Sequence, residues 1–411
     1  MLRREENDLI TRTNNASPLN DLMRRYWLPA LLSSELPDHG SKPVQVRLLN
    51  EELVAWRLAD GSVGLLAEHC SHRGASLVYA RSEGDCLRCI YHGWKYDNDG
   101  TVLDTPAEPA RSVVKNKIKH PSYATHEAAG VIWAYLGPKD KQPLFPKYRF
   151  TEAPPENVYV TKVMMDCNWL QGVEGECDSA HVSLLHQRFD QVAAGRPISH
   201  DLAPEYETEE TDFGLRLIAL RKQNDPTQQY VRVSSFVMLC EVWVPVFNRE
   251  IHCYVPIDDT HTWRFDMGYL NRPVEAVDVN RASVIDERFH KTQHQWNGYQ
   301  QDRQMMTDSN FSGIESVLIQ DALVTETMDY SGIFDRTHER LGMSDIAIIA
   351  VREYILRQVK AVQDGADPAH MVTDPALNEM THVDAVQEVF PADEPWREHW
   401  PYLTLTTVGA S

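Results

Sequence analysis

From about residue 42 the apolar positions of this chain recur with a period of two, as in strands whose side chains alternate between faces. VQVRLL, LVAWRL and VGLL, with a turn at Asp60-Gly61, are three such runs, and GVIWAYLG at Gly130 to Gly137 is a fourth. They predict a small β domain over residues 42–145, and the Pro-rich PKYRFTEAPPEN reads as a linker behind it. Ahead of it, the run LNDLMRRYWLPALL predicts a helical docking segment over residues 1–41. Beyond the linker, VYVTKVMM, LRLIALRK, YVRVSSFVMLCEVWVPV and IHCYVPIDDTHTWRFDMGYL return to strand character, the last with an Asp-Asp turn typical of a hairpin. Two stretches break the period. CNWLQGVEGECDSAHVSLLH reads as a helix, and residues 344–365 read as another, with Ser344 as N-cap, Ile348, Val351, Ile355, Val359 and Val362 at helical spacing, and Gly365 as the stop. The class is α+β: a second domain over 146–365, then a tail over 366–411, rich in Asp, Glu and Pro, that wraps the surface.

Composition narrows the function. With 42% apolar and 24% charged residues the chain is ordinary for a globular protein, and its 411 residues suffice for two or three cores. A formal charge of -20 argues against recognition of nucleic acid phosphates. No window reaches the 18 or so apolar residues of a membrane helix, and MLRREENDLITRTNN lacks the apolar core of a signal peptide, so the expected location is cytoplasmic, with no membrane. Seven cysteines without a secretory signal do not form a disulfide framework. Cys167, Cys177, Cys240 and Cys253 lie among apolar neighbours and read as small buried hydrophobes.

The remaining cysteines stand in CSHRGASLVYARSEGDCLRCIYHGWKYD. Cys70 and His72 are one residue apart, Cys89 and His92 two, with sixteen residues between the pairs. Two Cys and two His would suit tetrahedral zinc, but zinc modules usually pair Cys with Cys and His with His, whereas each loop here supplies one of each. Thiolates on one iron and imidazoles on the other describe a Rieske [2Fe-2S] cluster. CSHRGASL and CIYHGWKYD resemble the two cluster loops of Rieske oxygenases, and Cys86 falls outside that pattern.

A second constellation lies in NWLQGVEGECDSAHVSLLH. His181 and His186 are five apart, about 140° around an unbroken helix, so they share a metal only if the helix is irregular or ends between them. The segment resembles the iron-binding motif of Rieske oxygenases, with Asn168, Trp169, Glu174, Asp178, His181 and His186 in family order. The resemblance implies that His181 and His186 bind a mononuclear non-haem Fe(II). FSGIESVLIQDALVTE resembles the family segment that carries the third ligand, with Asp321 in place and Glu315 and Glu326 as rival carboxylates; two His and one carboxylate leave open positions for oxygen. It also implies catalytic roles for Asn168 and for Asp178, whose carboxylate would orient His181 and bridge to His92 of a neighbouring subunit, and hence a homotrimer, alone or as a stacked pair.

By that likeness the chain is the catalytic subunit of a Rieske non-haem iron oxygenase: a small all-β Rieske domain followed by a helix-grip antiparallel-sheet domain. Electrons would come from NADH through a separate flavin and iron-sulfur reductase, since this chain carries neither a dinucleotide Gly motif nor a plant-type ferredoxin cysteine run. Dioxygen and an organic substrate would meet at the iron. MLRREENDLITRTNNASPLNDLMRRYWLPA, HCSHRGASLVYAR and DRTHERLGMSDIAIIAVRE are most similar to the phthalate 4,5-dioxygenase branch, which implies an aromatic acid as substrate, oxidised by cis-dihydroxylation or by O-demethylation. A pure electron carrier or a zinc-stabilised binding protein are the readings from other classes. A carboxylate substrate calls for arginine. Arg216, Arg221, Arg232 and Arg264 lie on predicted strands, and Arg216 and Arg232 are the favoured pair.

Overall fold

The computed structural model of the chain describes residues 2–246, 250–275 and 284–401. Two short helices open it: α1 (Arg4–Thr11), and α2 (Pro18–Met23), which starts on a Ser17 side-chain cap with Pro18 in the first turn. Strand β1 (Trp27–Leu32) follows, then β2 (Val44–Leu48), β3 (Glu51–Arg57), β4 (Val63–Ala67), β5 (Arg81–Glu83), β6 (Cys86–Arg88), β7 (Lys95–Tyr96), β8 (Val102–Asp104), β9 (Ser122–Ala128) and β10 (Val131–Tyr135). They form two antiparallel sheets, ordered β1-β10-β9-β4-β3-β2 and β5-β6-β7-β8. The smaller sheet packs its own core, in which Leu87, Trp94 and Tyr96 meet Trp56 and Leu66 of the larger one.

The second domain is an antiparallel sheet built from β11 (Val158–Met165), β12 (Glu205–Glu210), β13 (Gly214–Lys222), β14 (Gln228–Val237), β15 (Glu241–Val244), β16 (Glu250–Pro256), β17 (Thr262–Tyr269) and β18 (Val386–Pro391). The order is β11-β17-β16-β15-β14-β13-β12, and β18 also pairs with β14. Between β11 and β12 come α3 (Trp169–Cys177) and α4 (Phe189–Ala193); α5 (Met305–Asp308), α6 (Val317–Glu326), the long α7 (Ile346–Gln363) and α8 (Trp396–His399) follow β17. Helix α3 packs on β15, β16 and α6, and α7 on β12 and the amino-terminal helices, the helix-grip arrangement. One core runs through both domains. The β2–β3 turn, with Leu49 and Asn50 at positive φ, donates both its N–H groups to Pro256 and Ile257 of the β16–β17 turn at 2.8 and 2.9 Å.

Several expectations need correction. Trp27–Leu32 is not helical: its residues are apolar throughout and become the edge strand of the first sheet, where a register irregularity accommodates Pro29. The boundary at residue 41 therefore cuts through that sheet. YVRVSSFVMLCEVWVPV is two strands, not one, because the chain reverses between Val237 and Glu241 and pairs Phe236 with Val242. The linker PKYRFTEAPPEN is no surface spacer, since Tyr148 and Phe150 stack on each other and pack against Trp243. The tail does more than wrap: β18 pairs with β14, and Trp396 and Trp400 cover Ile218, Val231 and Val233. Residues 402–411 of that tail lie outside the described residues. Helix α7 is capped at Asp345 rather than Ser344, while Gly365 stops it at φ +86°.

Candidate active site

The four candidate cluster ligands stand on two loops of one design. Cys70 N–H bonds Ala75 O at 3.0 Å and Gly74 N–H bonds Cys70 O at 2.8 Å; in the second loop Cys89 N–H bonds Trp94 O at 2.8 Å and Gly93 N–H bonds Cys89 O at 3.0 Å. Gly74 and Gly93 take φ of +71° and +75°, and a Cβ on Gly93 would meet Pro106 at 2.6 Å, so the second turn admits only glycine without rearrangement. Both thiols are buried and both imidazoles half-exposed. Tyr96 Oη lies 3.0 Å from Cys70 Sγ, His72 stacks on Trp94 at 4.8 Å, and the two imidazoles are 4.5 Å apart. His92 Nδ1 is buried with no hydrogen-bond partner among the described residues. An orphaned imidazole nitrogen beside two thiols free of disulfide bonds is what a [2Fe-2S] group would satisfy. Cys86 is the bystander, on β6 across from Glu83.

The second group forms where α3 ends. Asn168 caps the helix, and Asp178 terminates it after Cys177; His181 then begins a separate 3-10 turn, so the two histidines are released from helical spacing. Their rings are 5.0 Å apart. Asp321, from the middle of α6, joins them, and one ligand atom from each of His181, His186 and Asp321 lies within 4.8 Å of the others. His186 Nε2 is 3.1 Å from Asp321 Oδ1. Its Nδ1 is 2.6 Å from Gln320 Oε1, while Gln320 Nε2 donates to Ile314 O at 2.6 Å. That second bond fixes the amide, so Nδ1 carries the proton and Nε2 offers its lone pair to the site. His181 Nδ1 faces Asp178 Oδ2 at 3.5 Å, and Asp178 Oδ1 accepts the Ala180 N–H at 2.7 Å. Burial works against ionisation of Asp178, but its hydrogen bond with His181 prevails and holds its pKa below the usual carboxylate range. Asp321 is held low as well, burial being outweighed by His186 and Arg264.

The rival carboxylates are elsewhere. Glu315 is exposed, and Glu326 is taken by Tyr299 Oη at 2.8 Å and Lys291 Nζ at 2.8 Å. Asn168 does not meet a catalytic role: its side chain is fully buried, accepts from Leu170 N–H, and donates to Thr11 O and Asp259 O at 2.8 Å each. It fastens α3 to the amino-terminal segment. Glu174 is likewise structural, clamped between Arg336 at 2.8 Å and Arg352 at 2.6 Å.

The arginines separate by strand face. Residues of β13 alternate, so Arg216 and Arg221 point to opposite sides, and Arg232, registered with Ala219, shares the side of Arg221. Arg221 donates to Ser179 Oγ at 3.1 Å, to Ser179 O at 2.6 Å and to Ser183 Oγ at 3.3 Å, which places its side on the His181 turn. Arg216 is on the tail-covered side, paired with Glu209 at 3.2 Å, and so is not a substrate residue. Arg232 bonds Gln387 Oε1 at 2.9 Å. Arg264 is buried among acids, Asp266 at 2.7 Å, Glu176 at 3.2 Å and Asp321 at 3.3 Å. Sequence reasoning missed Gln320, although it adjoins Asp321, and missed Glu176 and His252, which carry no local pattern.

Comparison with known proteins agrees with this geometry. Residues 26–123 match the model of the Rieske [2Fe-2S] domain, and residues 134–406 match that of the LigXa-like C-terminal domain. The chain is 36% identical to the phthalate 4,5-dioxygenase oxygenase subunit of Pseudomonas putida, over 97% of this chain and 95% of that one. It is 28% identical to the 5,5'-dehydrodivanillate O-demethylase oxygenase subunit of a Sphingobium species, over 96% and 90%. In fold it resembles the oxygenase of the oxygenase–ferredoxin complex of carbazole 1,9a-dioxygenase, with a TM-score of 0.60 and 19% identity over 90% of this chain and 99% of that one. Two cluster loops on a β domain, a His-His-Asp group on an antiparallel-sheet domain and these matches together make the chain a member of the Rieske oxygenases, the terminal oxygenase subunits of multicomponent aromatic dioxygenase and demethylase systems.

Proposed function

We propose that the protein oxidises an aromatic acid related to phthalate by cis-dihydroxylation, with Fe(II) held by His181, His186 and Asp321, and that Arg221, Arg232 and Arg196 bind the acid. The observation that carries this reading is a set of arginines without acids. Arg221 and Arg232 are buried and Arg196 is half-buried, yet among the described residues none forms an ion pair with a carboxylate. The guanidinium of Arg196 donates to Gln191 Oε1 at 2.8 Å. Burial draws the guanidinium groups of Arg196 and Arg221 below the ordinary arginine range, and Arg232 repels both. Nε of Arg221, Nε of Arg232 and the Tyr206 hydroxyl are buried on the same side of the sheet without partners among the described residues. An unpaired buried cation is costly, and a bound carboxylate offsets that cost.

Iron bound by the His-His-Asp group, supplied with electrons from the cluster and ultimately from NADH through a separate reductase, would provide the chemistry of dioxygen activation. The chain does the rest. The arginines hold the acid against the His181 turn, Asp178 orients the His181 imidazole, and Gln320 sets the proton on His186. Among the described residues no hydrogen bond or ion pair joins the cluster loops to this site within one chain. The half-exposed His92 lies beside Tyr91, with ring centroids 3.8 Å apart, and Ile90 and Tyr91 are 62% and 54% exposed. An apolar rim around the exposed end of the cluster suits docking on a second copy, with the partner subunit's His92 reaching Asp178. This favours a homotrimer, alone or as a stacked pair. The demethylase relative supports O-demethylation as the second reading.

Anaerobic reduction with a panel of aromatic acids, followed by oxygen and mass spectrometry, tests the proposal. A cis-diol of an aromatic acid is the expected product; a demethylated acid selects the second reading, and oxidation of neutral arenes alone overturns both. Arg221→Ala and Arg232→Ala should each raise KM for the acid by about 10-fold or more with a smaller change in kcat, since a charged hydrogen bond contributes roughly 1.5–3 kcal/mol.

A further inference from the structure

Each of the three side chains at the iron site has a support behind it: Asp178 behind His181, Gln320 behind His186, and, for Asp321, a guanidinium drawn from a different layer of the fold. Arg264 comes from β17, is fully buried, and places Nη1 3.3 Å from Asp321 Oδ2. The oxygens of Asp321 are thereby divided, Oδ1 toward His186 at 3.1 Å and Oδ2 toward Arg264. Arg264 is itself immobilised. Its Nε bonds Asp266 at 2.7 Å, and Nη1 is 3.2 Å from Glu176 Oε1. Glu176 is fixed in turn by Tyr254 Oη at 2.8 Å and His252 Nδ1 at 2.8 Å, and His252 Nε2 reaches Glu250 at 3.2 Å. Lysine, a single point charge, could not serve three acids in three directions; the planar fork of arginine can.

We propose that Arg264 is a positioning residue for the metal site: it fixes Asp321 through Oδ2, and the Asp266 and Glu176–His252 braces hold it there, so that this network sets the affinity for the metal. The inference rests on the assignment of Fe(II) to His181, His186 and Asp321. Supporting partners of metal ligands typically change metal affinity by about 10–100-fold when removed, and Arg264→Lys, which keeps the charge and loses the fork, should fall in that range.

The test is titration of Fe(II) into full-length protein stripped of the mononuclear metal, with the visible absorbance of the Rieske cluster as the measure of folding and the electron paramagnetic signal of the nitric oxide adduct as the readout. Arg264→Lys with normal Rieske absorbance should show a Kd for Fe(II) raised at least 10-fold and an altered signal. A Kd within twofold of wild type and an unchanged signal overturn the proposal, even if thermal stability has dropped, because a merely structural arginine would affect only the latter. If Arg264→Lys loses the cluster, His252→Gln removes one brace and leaves the guanidinium in place. A several-fold rise in Kd is then expected, and an unchanged Kd overturns the proposal. Failure of the wild-type protein to bind Fe(II) through His181, His186 and Asp321 would instead remove the iron assignment itself.

Discussion

The cluster loops and the His-His-Asp site solve the same problem by opposite means. Cys70, His72, Cys89 and His92 come from 23 consecutive residues, on two turns with the same internal hydrogen bonds, and most of their support is local: Tyr96, Trp94 and two glycines. His181, His186 and Asp321 span 141 residues, and their support comes from α3, α6, β16 and β17. The first arrangement has its glycines, aromatics and ligands within one stretch of sequence. In the second only the Asp178–His181 pair is local, and His186 and Asp321 have their partners only once α6 and β17 are packed against α3. A fault in the first should therefore be local, and a fault in the second should spread through the sheet.

The largest expected effects separate the two regions outright. Cys89→Ser should abolish the visible absorbance of the cluster, whereas His181→Ala should abolish turnover and leave that absorbance intact; loss of the absorbance in His181→Ala would show the regions to be coupled. Asp178→Asn tests their connection. It should retain cluster and iron by metal analysis while single-turnover transfer of electrons from the reduced cluster falls close to zero, and normal turnover would break the proposed path. Gln320→Leu removes the acceptor for His186 Nδ1–H, and iron affinity should drop by about 10–100-fold with the cluster unchanged.

The smallest expected effect on turnover belongs to a group outside both regions. Glu241 lies in the core beside a small cavity of about 40 Å³ lined by Tyr26, Trp27, Trp133 and Tyr148, and burial lifts its pKa to about 7. Its carboxyl is raised in the folded chain, so folding holds the proton that the unfolded chain releases above the ordinary glutamate range. The folded state is therefore favoured at low pH and loses that advantage as pH rises from about 4.5 to about 7, up to about 3 kcal/mol in total. Glu241→Gln should flatten the stability profile between pH 5 and 8 in thermal unfolding, with its largest gain above pH 7, and leave the cluster spectrum and turnover unchanged.

Much of this was legible in the amino-acid order. The period-two runs gave about half of the strands and the Asp-Asp hairpin, and helical spacing gave α7, because both periods are imposed by backbone geometry. Where burial is uniform that signal fails: WLPALL is apolar on both faces and reads as helix although it is a strand, and the single apolar run through Met238 conceals a chain reversal. Candidate ligands stood out through spacing, as Cys-x-His, Cys-x-x-His and the His181/His186 pair. Tertiary structure decided what surrounds them. It placed Arg216 on the covered side of the sheet and Arg221 against Ser179, a distinction that rests on one residue of register. It made Asn168 a fastening rather than a catalyst, and chose Asp321 over Glu326 by pairing the latter with Lys291 and Tyr299. Residue types and short spacings are properties of the chain itself, whereas the sign and number of charges around a buried group depend on which distant strands pack there, and only the fold brings Arg264, Glu176 and His252 to Asp321.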